Sequence, residues 1–310
     1  MLKKIILTIL CFLVLIVCFF GINILNSRKT NEIETLKENT KWKITQYGRD
    51  DGAQMMGYTI EGNNYGLIII DGGYYNDLET QELYKEKIKQ HNNTVDAWIV
   101  THYDSDHAGA YMALKESEPN IIVKNLYVQG MPSLELCKEK APWETEWEMY
   151  EKYLALPEQE RTIVKSGFEV EEIIGLRYKV LSVYDEWMGE KLTSLLNNGS
   201  MIFKLYGNEE SFLYCADVTS KEVEQNLLSN YKEDLPSEYV QIPHHGNSIF
   251  SEDFYKLVNP KEAFFDAPTW IIENKNNVSW YTIEKTREMF ESWGVKVNYF
   301  ATTPNYVEMK

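Results

Sequence analysis

Residues 97–109 read AWIVTHYDSDHAG. The apolar run at 97–100 has the length of a short buried strand, and four side chains of ligand type, His102, Asp104, Asp106 and His107, follow within six residues. In an extended loop alternate residues share a side, so His102, Asp104 and Asp106 aim one way. His107, next to Asp106, diverges and reaches a second position. Imidazole and carboxylate donors together suit Zn²⁺ or Mn²⁺ better than Ca²⁺ or Mg²⁺. Each carboxylate has a bland alternative, Asp106 as N-cap of a helix expected over 107–115 and Asp104 as a turn residue. A purely structural loop gives no reason for histidines at both of its ends.

The chain has five histidines, and the one adjacent pair lies in residues 240–247, VQIPHHGN, where His244 and His245 again close an apolar strand. Two further carboxylates occupy the same kind of place. Asp217 follows the strand expected over 211–216, and Asp71 follows the one over 65–70, with Gly72 and Gly73 permitting a tight turn. Taken alone, Asp217 reads as the N-cap of a helix over 218–228.

Working outward, strands are expected at 42–47, 56–61 and 65–70, then a helix at 79–91, a strand at 121–128 and a helix at 142–156. Residues 169–183 suggest a hairpin around Gly175. The second half repeats the order: a hairpin over 200–216, then strands at 239–242, 263–267 and 295–300 alternating with helices at 221–229, 254–258 and 283–293. Strands first and αβ units later in each half predict an α+β protein with two sheets between helices.

The N-terminus differs in kind. Residues 5–27 carry no charge and are almost wholly apolar, long enough for about 30 Å of helix. No small-residue cleavage pattern ends the run, so residues 1–29 are expected to be a retained membrane anchor, residues 30–41 a polar linker and residues 42–310 one folded domain. The domain is expected outside the cytoplasm. Residues 31–310 hold 27 basic and 47 acidic side chains, a net of −20, which argues against a non-specific nucleic-acid binder. Cys137 and Cys215 permit at most one disulfide, and Cys215 reads as a small buried hydrophobe. Trp143, Trp147, Trp187, Trp270 and Trp280 could cage a choline-like cation, although aromatics at this frequency more often fill a core.

The order Asp71-Gly-Gly, His102-x-Asp104-x-Asp106-His107, Asn197-Asn198-Gly199-Ser200, Asp217 and His244-His245-Gly246 resembles the metallo-β-lactamase superfamily, over nearly all of residues 42–310. Asp104 stands where the family usually has histidine. In this the chain resembles the hydrolase domain of DNA-uptake competence proteins and surface phosphodiesterases such as phosphorylcholine esterases. The resemblance implies a four-layer αββα sandwich, here preceded by one transmembrane helix, with one or two Zn²⁺ (or Mn²⁺) ions at one edge. It places His102 and Asp104 on the first metal, Asp106 and His107 on the second, and Asp217 between them. His244 or His245 completes the second site, and the other serves the oxyanion or the leaving group. Asp71 becomes an outer carboxylate that orients a ligand histidine. No histidine lies between 107 and 244, so Asn197, Asn198, Ser200 or water must stand in for a further ligand. The implied reaction is hydrolysis by a hydroxide held between metals, with Asp106, Asp217 and His245 as catalytic groups and a small phosphodiester or ester, such as one at the cell surface, as substrate. Two other readings follow from the same residues: a metal-binding or sensing module without turnover, and a DNA-processing nuclease.

Overall fold

Alternation along the central strands sets the layering. In the strand Tyr65–Asp71, Ile68 and Ile70 turn into one core while Leu67 and Ile69 turn into another. In Ser211–Tyr214, Phe212 and Tyr214 enter the core shared with Ile68, and Leu213 enters a third. Strands that are apolar on both faces must be covered on both faces. Two sheets therefore face each other across the middle core, and helices cover the outer face of each. The computed structural model describes residues 40–310 apart from 64, 145–146, 280 and 302–303. The apolar run at 5–27 and Trp280 lie outside the described residues. Among the described residues, no helix is long and apolar enough to cross a membrane.

The strands run in chain order β1 (Trp42–Gln46), β2 (Gly57–Gly62), β3 (Tyr65–Asp71), β4 (Thr94–Val95), β5 (Ala97–Val100), β6 (Ile122–Val123), β7 (Leu126–Gln129), β8 (Thr162–Val164), β9 (Glu169–Ile173), β10 (Leu176–Ser182), β11 (Ile202–Tyr206), β12 (Ser211–Tyr214), β13 (Tyr239–Gln241), β14 (Glu262–Pro268), β15 (Lys296–Phe300) and β16 (Asn305–Met309). The first sheet has the order β16-β1-β2-β3-β5-β7-β8 and the second β15-β14-β13-β12-β11-β10-β9. Each begins as an antiparallel meander and continues with parallel strands; β3 pairs with β5 at Ile69↔Trp98, and β12 pairs with β13 at Leu213↔Val240. Parallel strands need helical crossovers, which places the carboxyl ends of β3, β5, β12, β13 and β14 at one edge of the sandwich.

Several elements differ from the sequence reading. The strand expected over 121–128 is two, because Lys124 and Asn125 turn their backbone to Val95 and Trp98 and step the chain from one small ladder to the main sheet. The helix expected over 142–156 is confined to Glu148–Leu154, after a turn in which the Glu144 amide bonds the Ala141 carbonyl. Strand β16 has no counterpart in that reading; it returns to the first sheet antiparallel to β1, with Ile44 opposite Val307. Cys137 and Cys215 are buried and free. Trp147, Trp187 and Trp270 pack against the helix-covered core of the second sheet, and Trp143 is exposed, so these four form no common cage.

Candidate metal centre

Five strand ends deliver the functional side chains. After β5 the chain passes through Thr101 and His102 into the helix Ser105–Ser117, with Asp104 at the N-cap position. Asp104 makes no side-chain cap bond there, and its Oδ2 instead lies 3.5 Å from His102 Nε2. The helix thus starts two residues earlier than the sequence suggested. Asp106 and His107 occupy its first turn, and the capping alternative for Asp106 is removed. The same holds for Asp217: the helix Lys221–Asn230 is capped by Ser220, whose side chain accepts from Glu222 N and Val223 N.

Three imidazoles share one arrangement, in which Nδ1 faces the protein and Nε2 faces a common space. His107 Nδ1 donates to Asp71 Oδ2 at 2.8 Å. Asp71 also accepts from Thr101 N and Thr101 Oγ1, both at 2.7 Å, and is completely buried. Since the Thr101 hydroxyl gives its proton to Asp71, it accepts from His102 Nδ1 at 3.1 Å. His245 Nδ1 donates to the Asp266 carbonyl at 3.1 Å. With Nδ1 engaged, the Nε2 of each ring is left for another partner.

No protein hydrogen bond completes that space. His102 Nε2, His107 Nε2, His245 Nε2 and Asp217 Oδ1 are all buried and lack a hydrogen-bond partner. His107 Nε2 lies 3.2 Å from Asp217 Oδ1, and His245 Nε2 lies 3.2 Å from Asp106 Oδ2 and 3.5 Å from Asp217 Oδ2. The donor atoms form two groups, His102–His107–Asp217 and Asp106–His107–His245, each with its atoms within 4.8 Å of one another. An unmet buried polar atom costs about 1–3 kcal/mol, so four at one point call for a cation that accepts N and O ligands. The donor set fits a transition metal.

The electrostatics agree. Burial opposes the charged form of His107, but Asp217, Asp71 and Asp106 outweigh it and hold its pKa well above the usual imidazole value. Burial opposes the charge on His245 too, yet Asp217 and Asp106 push it up to about 10. For Asp217, burial favours the neutral acid, and His107 and His245 overcome this to keep it well below the ordinary carboxylate range. The carboxylates demand positive charge at this spot, which the histidines carry here and a metal ion would supply when bound.

Not every expected residue arrives. Asp104 pairs with His102 and stays outside both groups found among the described residues. His244 also stays outside, half-buried with its ring centroid 6.1 Å from that of His245. His245 takes the place between the carboxylates. Both residues are left-handed, at φ 49° and 58°, as are Asp71 and Ala216 at the neighbouring strand ends. Non-glycine residues held there store strain of roughly 1 kcal/mol or more each, and such strain gathers at functional sites. Asn198 and Ser200 are bound to the backbone around Asp217. Ser200 Oγ accepts from Asp217 N at 3.1 Å and Asn198 Oδ1 from Thr219 N at 3.2 Å, so both fasten the loop that carries Asp217. Asn197 Oδ1 is buried without a partner.

Three contributors escaped the sequence reading. Thr101 directs both Asp71 and His102. Asp266, buried among neutral donors and pushed up to about 6 chiefly by that burial, presents its carbonyl to His245. Glu144 is held above the usual carboxylate range by burial and by Asp104. A carboxylate inside the apolar run Phe264-Phe265-Asp266-Ala267 was the available signal for Asp266.

The family model of the metallo-β-lactamase superfamily matches residues 58–230. No curated protein matches the chain. Among solved structures, the metallo-β-lactamase fold protein YhfI from Bacillus subtilis aligns with a TM-score of 0.50 at 12% identity, over 86% of this chain and 99% of its own. Zn²⁺-bound PqqB from Methylobacterium extorquens gives 0.47 at 8% identity over 86% and 100%, and a diphosphatase of the PhnP family gives 0.46 at 13% over 88% and 98%. Likeness at such identities speaks for the fold alone. With more than half of its length inside the family match, the chain belongs to the metallo-β-lactamase superfamily.

Proposed function

We propose that this metal-dependent hydrolase cleaves small phosphodiesters or esters, from a domain held outside the cytoplasm by the apolar run at 5–27. The observation that carries the reading is the convergence of three Nε2 atoms and Asp217 Oδ1, buried and without a hydrogen bond, on one space. His102, with Asp104 beside it, and Asp217 would hold one ion, and Asp106, His107 and His245 would hold a second. When bound, such ions lower the pKa of a coordinated water toward about 7 and neutralise charge on substrate oxygens. Asp217, between His107 and His245, orients the attacking water through its second oxygen. Asp71, Thr101 and the Asp266 carbonyl hold the three rings so that Nε2 faces inward. His244, outside both groups and with its pKa lowered by burial, would offer a hydrogen bond to the leaving oxygen.

The substrate class rests on charge. A net of −20 over residues 31–310 repels a polyanion, while a small or zwitterionic phosphodiester feels little of that field beyond about 8–10 Å. A cleft of about 960 Å³ opens at Ser105, between Asp104 and Asp106 in sequence, with Arg49, Tyr74, Tyr75 and Trp147 among its walls. Arg49 is already paired with Asp51, Asp77 and Glu79, which leaves little positive charge for a phosphate backbone. The test combines metal analysis of wild type and the His102→Ala/His107→Ala double variant with rates on bis-nitrophenyl phosphate, nitrophenyl phosphorylcholine, a chromogenic cephalosporin and duplex DNA. Expected are one to two equivalents of transition metal lost in the double variant, and phosphodiester turnover above the rest. Full metal retention by the variant, or faster cleavage of cephalosporin or DNA, overturns the reading.

A further inference from the structure

One buried carboxylate outside both donor groups has a more constrained setting than any fold requirement explains. Asp266 lies near the end of β14 and is completely buried between the sheets. From the first sheet it accepts Tyr58 Oη at 2.6 Å and Gln46 Nε2 at 2.8 Å, both on Oδ1. From its own sheet it accepts Gln241 Nε2 at 3.0 Å on Oδ2. Its backbone carbonyl takes the His245 Nδ1 proton and the Met55 amide.

Neither glutamine can turn its amide to relieve this demand. Gln46 Oε1 accepts from Asn305 while its Nε2 also donates to the Phe265 carbonyl. Gln241 Oε1 accepts from Cys215 N while its Nε2 also donates to the Ile242 carbonyl. Donors therefore press on both oxygens of residue 266, and only a group that accepts on both sides satisfies them. Gln241 carries the constraint onward, since Cys215 and Ala216 lead directly to Asp217 and Ile242 leads to the His244–His245 turn. Met56, next to Met55, closes the circuit by donating its amide to the Asp106 carbonyl.

We infer that Asp266 is a positioning residue of the metal centre, whose carboxylate, through Gln241 and its own carbonyl, sets His245 and Asp217 at the spacing that a metal ion requires. The inference rests on the metal-centre reading above. Substitution by asparagine keeps the size and turns one acceptor into a donor facing Gln241 or Gln46, so the end of β14 must shift.

The experiment uses the full chain, labelled with ¹⁵N at histidine, and follows buried Nδ1–H protons by NMR in the metal-free protein together with Zn²⁺ affinity by chelator competition. Wild type should show protected Nδ1–H signals for His102, His107 and His245. Asp266→Asn should lose the His245 signal, keep the other two, and bind Zn²⁺ roughly 10–100-fold more weakly, as loss of an outer partner of a ligand does. All three signals retained with unchanged Zn²⁺ affinity overturns the inference. If all three vanish, Gln241→Met decides: weaker Zn²⁺ binding by tenfold or more, with the His102 and His107 signals intact, supports the coupling, and unchanged affinity refutes it. Wild type that binds no Zn²⁺ would defeat the metal-centre reading, while the proton signals still report on Asp266.

Discussion

At the scale of residues, the centre is defined by what each ring does with Nδ1. Asp71, Thr101 and the Asp266 carbonyl take those positions, so all three Nε2 atoms are committed to one point. Asp217 lies 3.2 Å from His107 Nε2 and 3.5 Å from His245 Nε2, while Asp106 lies 3.2 Å from His245 but 4.0 Å from His107. Because Ser220 is the true helix cap, the two roles can be separated by paired substitutions. Ser220→Ala should cost about 1 kcal/mol of stability and leave turnover per metal-loaded site intact. Asp217→Asn should cut turnover by roughly 100-fold or more, the scale seen when one transition-state contact is removed. Melting temperature and rate measured on the same preparations check this, and equal losses of turnover in both variants would contradict it.

At the scale of elements, the helix Ser105–Ser117 matters because it fixes Asp106 and His107 in one turn. It seats against the glycine turn after β3, where Ala110 N donates to the Gly73 carbonyl at 2.8 Å. A Cβ on Gly109 would stand 2.1 Å from Tyr75 N and 2.7 Å from the Gly73 carbonyl oxygen, both backbone atoms that cannot swing away. Gly109→Ala should therefore destabilise the fold by about 1–3 kcal/mol, as overpacking does, even though alanine favours helix. It should also lower metal content by pushing Asp106 and His107 off the edge. Denaturant titration and metal analysis test both, and a variant as stable as wild type with full metal would refute the seating argument.

At the scale of the whole molecule, two sheets of similar plan bring their carboxyl edges together, so one edge gathers side chains from residue 71 to residue 266. The acidic surface and the apolar run at 5–27 bear on where this edge works. A charge-free stretch of that length should keep the protein in the membrane fraction, with the acidic domain cleaved by protease added outside intact cells. Recovery in a soluble cytoplasmic pool, or protection from external protease, would reverse the assignment.

Much of this was legible in the sequence because strand ends announce themselves. Apolar runs stopping at Asp71, His102, Asp217 and His244 mark positions where a buried strand meets a turn, and ligand-type residues there imply a shared edge. Periodicity likewise exposed the two sheets, since strands buried on both faces read as continuous apolar runs. Strand β16 stayed hidden: its alternation is short and it pairs with β1, more than 250 residues away, a contact no local pattern encodes. The sequence could not choose between His244 and His245, because adjacent residues in consecutive left-handed conformations point by backbone geometry rather than by chemistry. The resemblance already set Asp104 beside His102 and Asp106 beside His107; that Asp104 stays outside both donor groups follows from the helix start at Ser105, which packing against Gly73 fixes. Which donors hold a metal, and which residues aim them, is decided by hydrogen bonds between strands of different sheets, and only the folded chain brings those partners within reach.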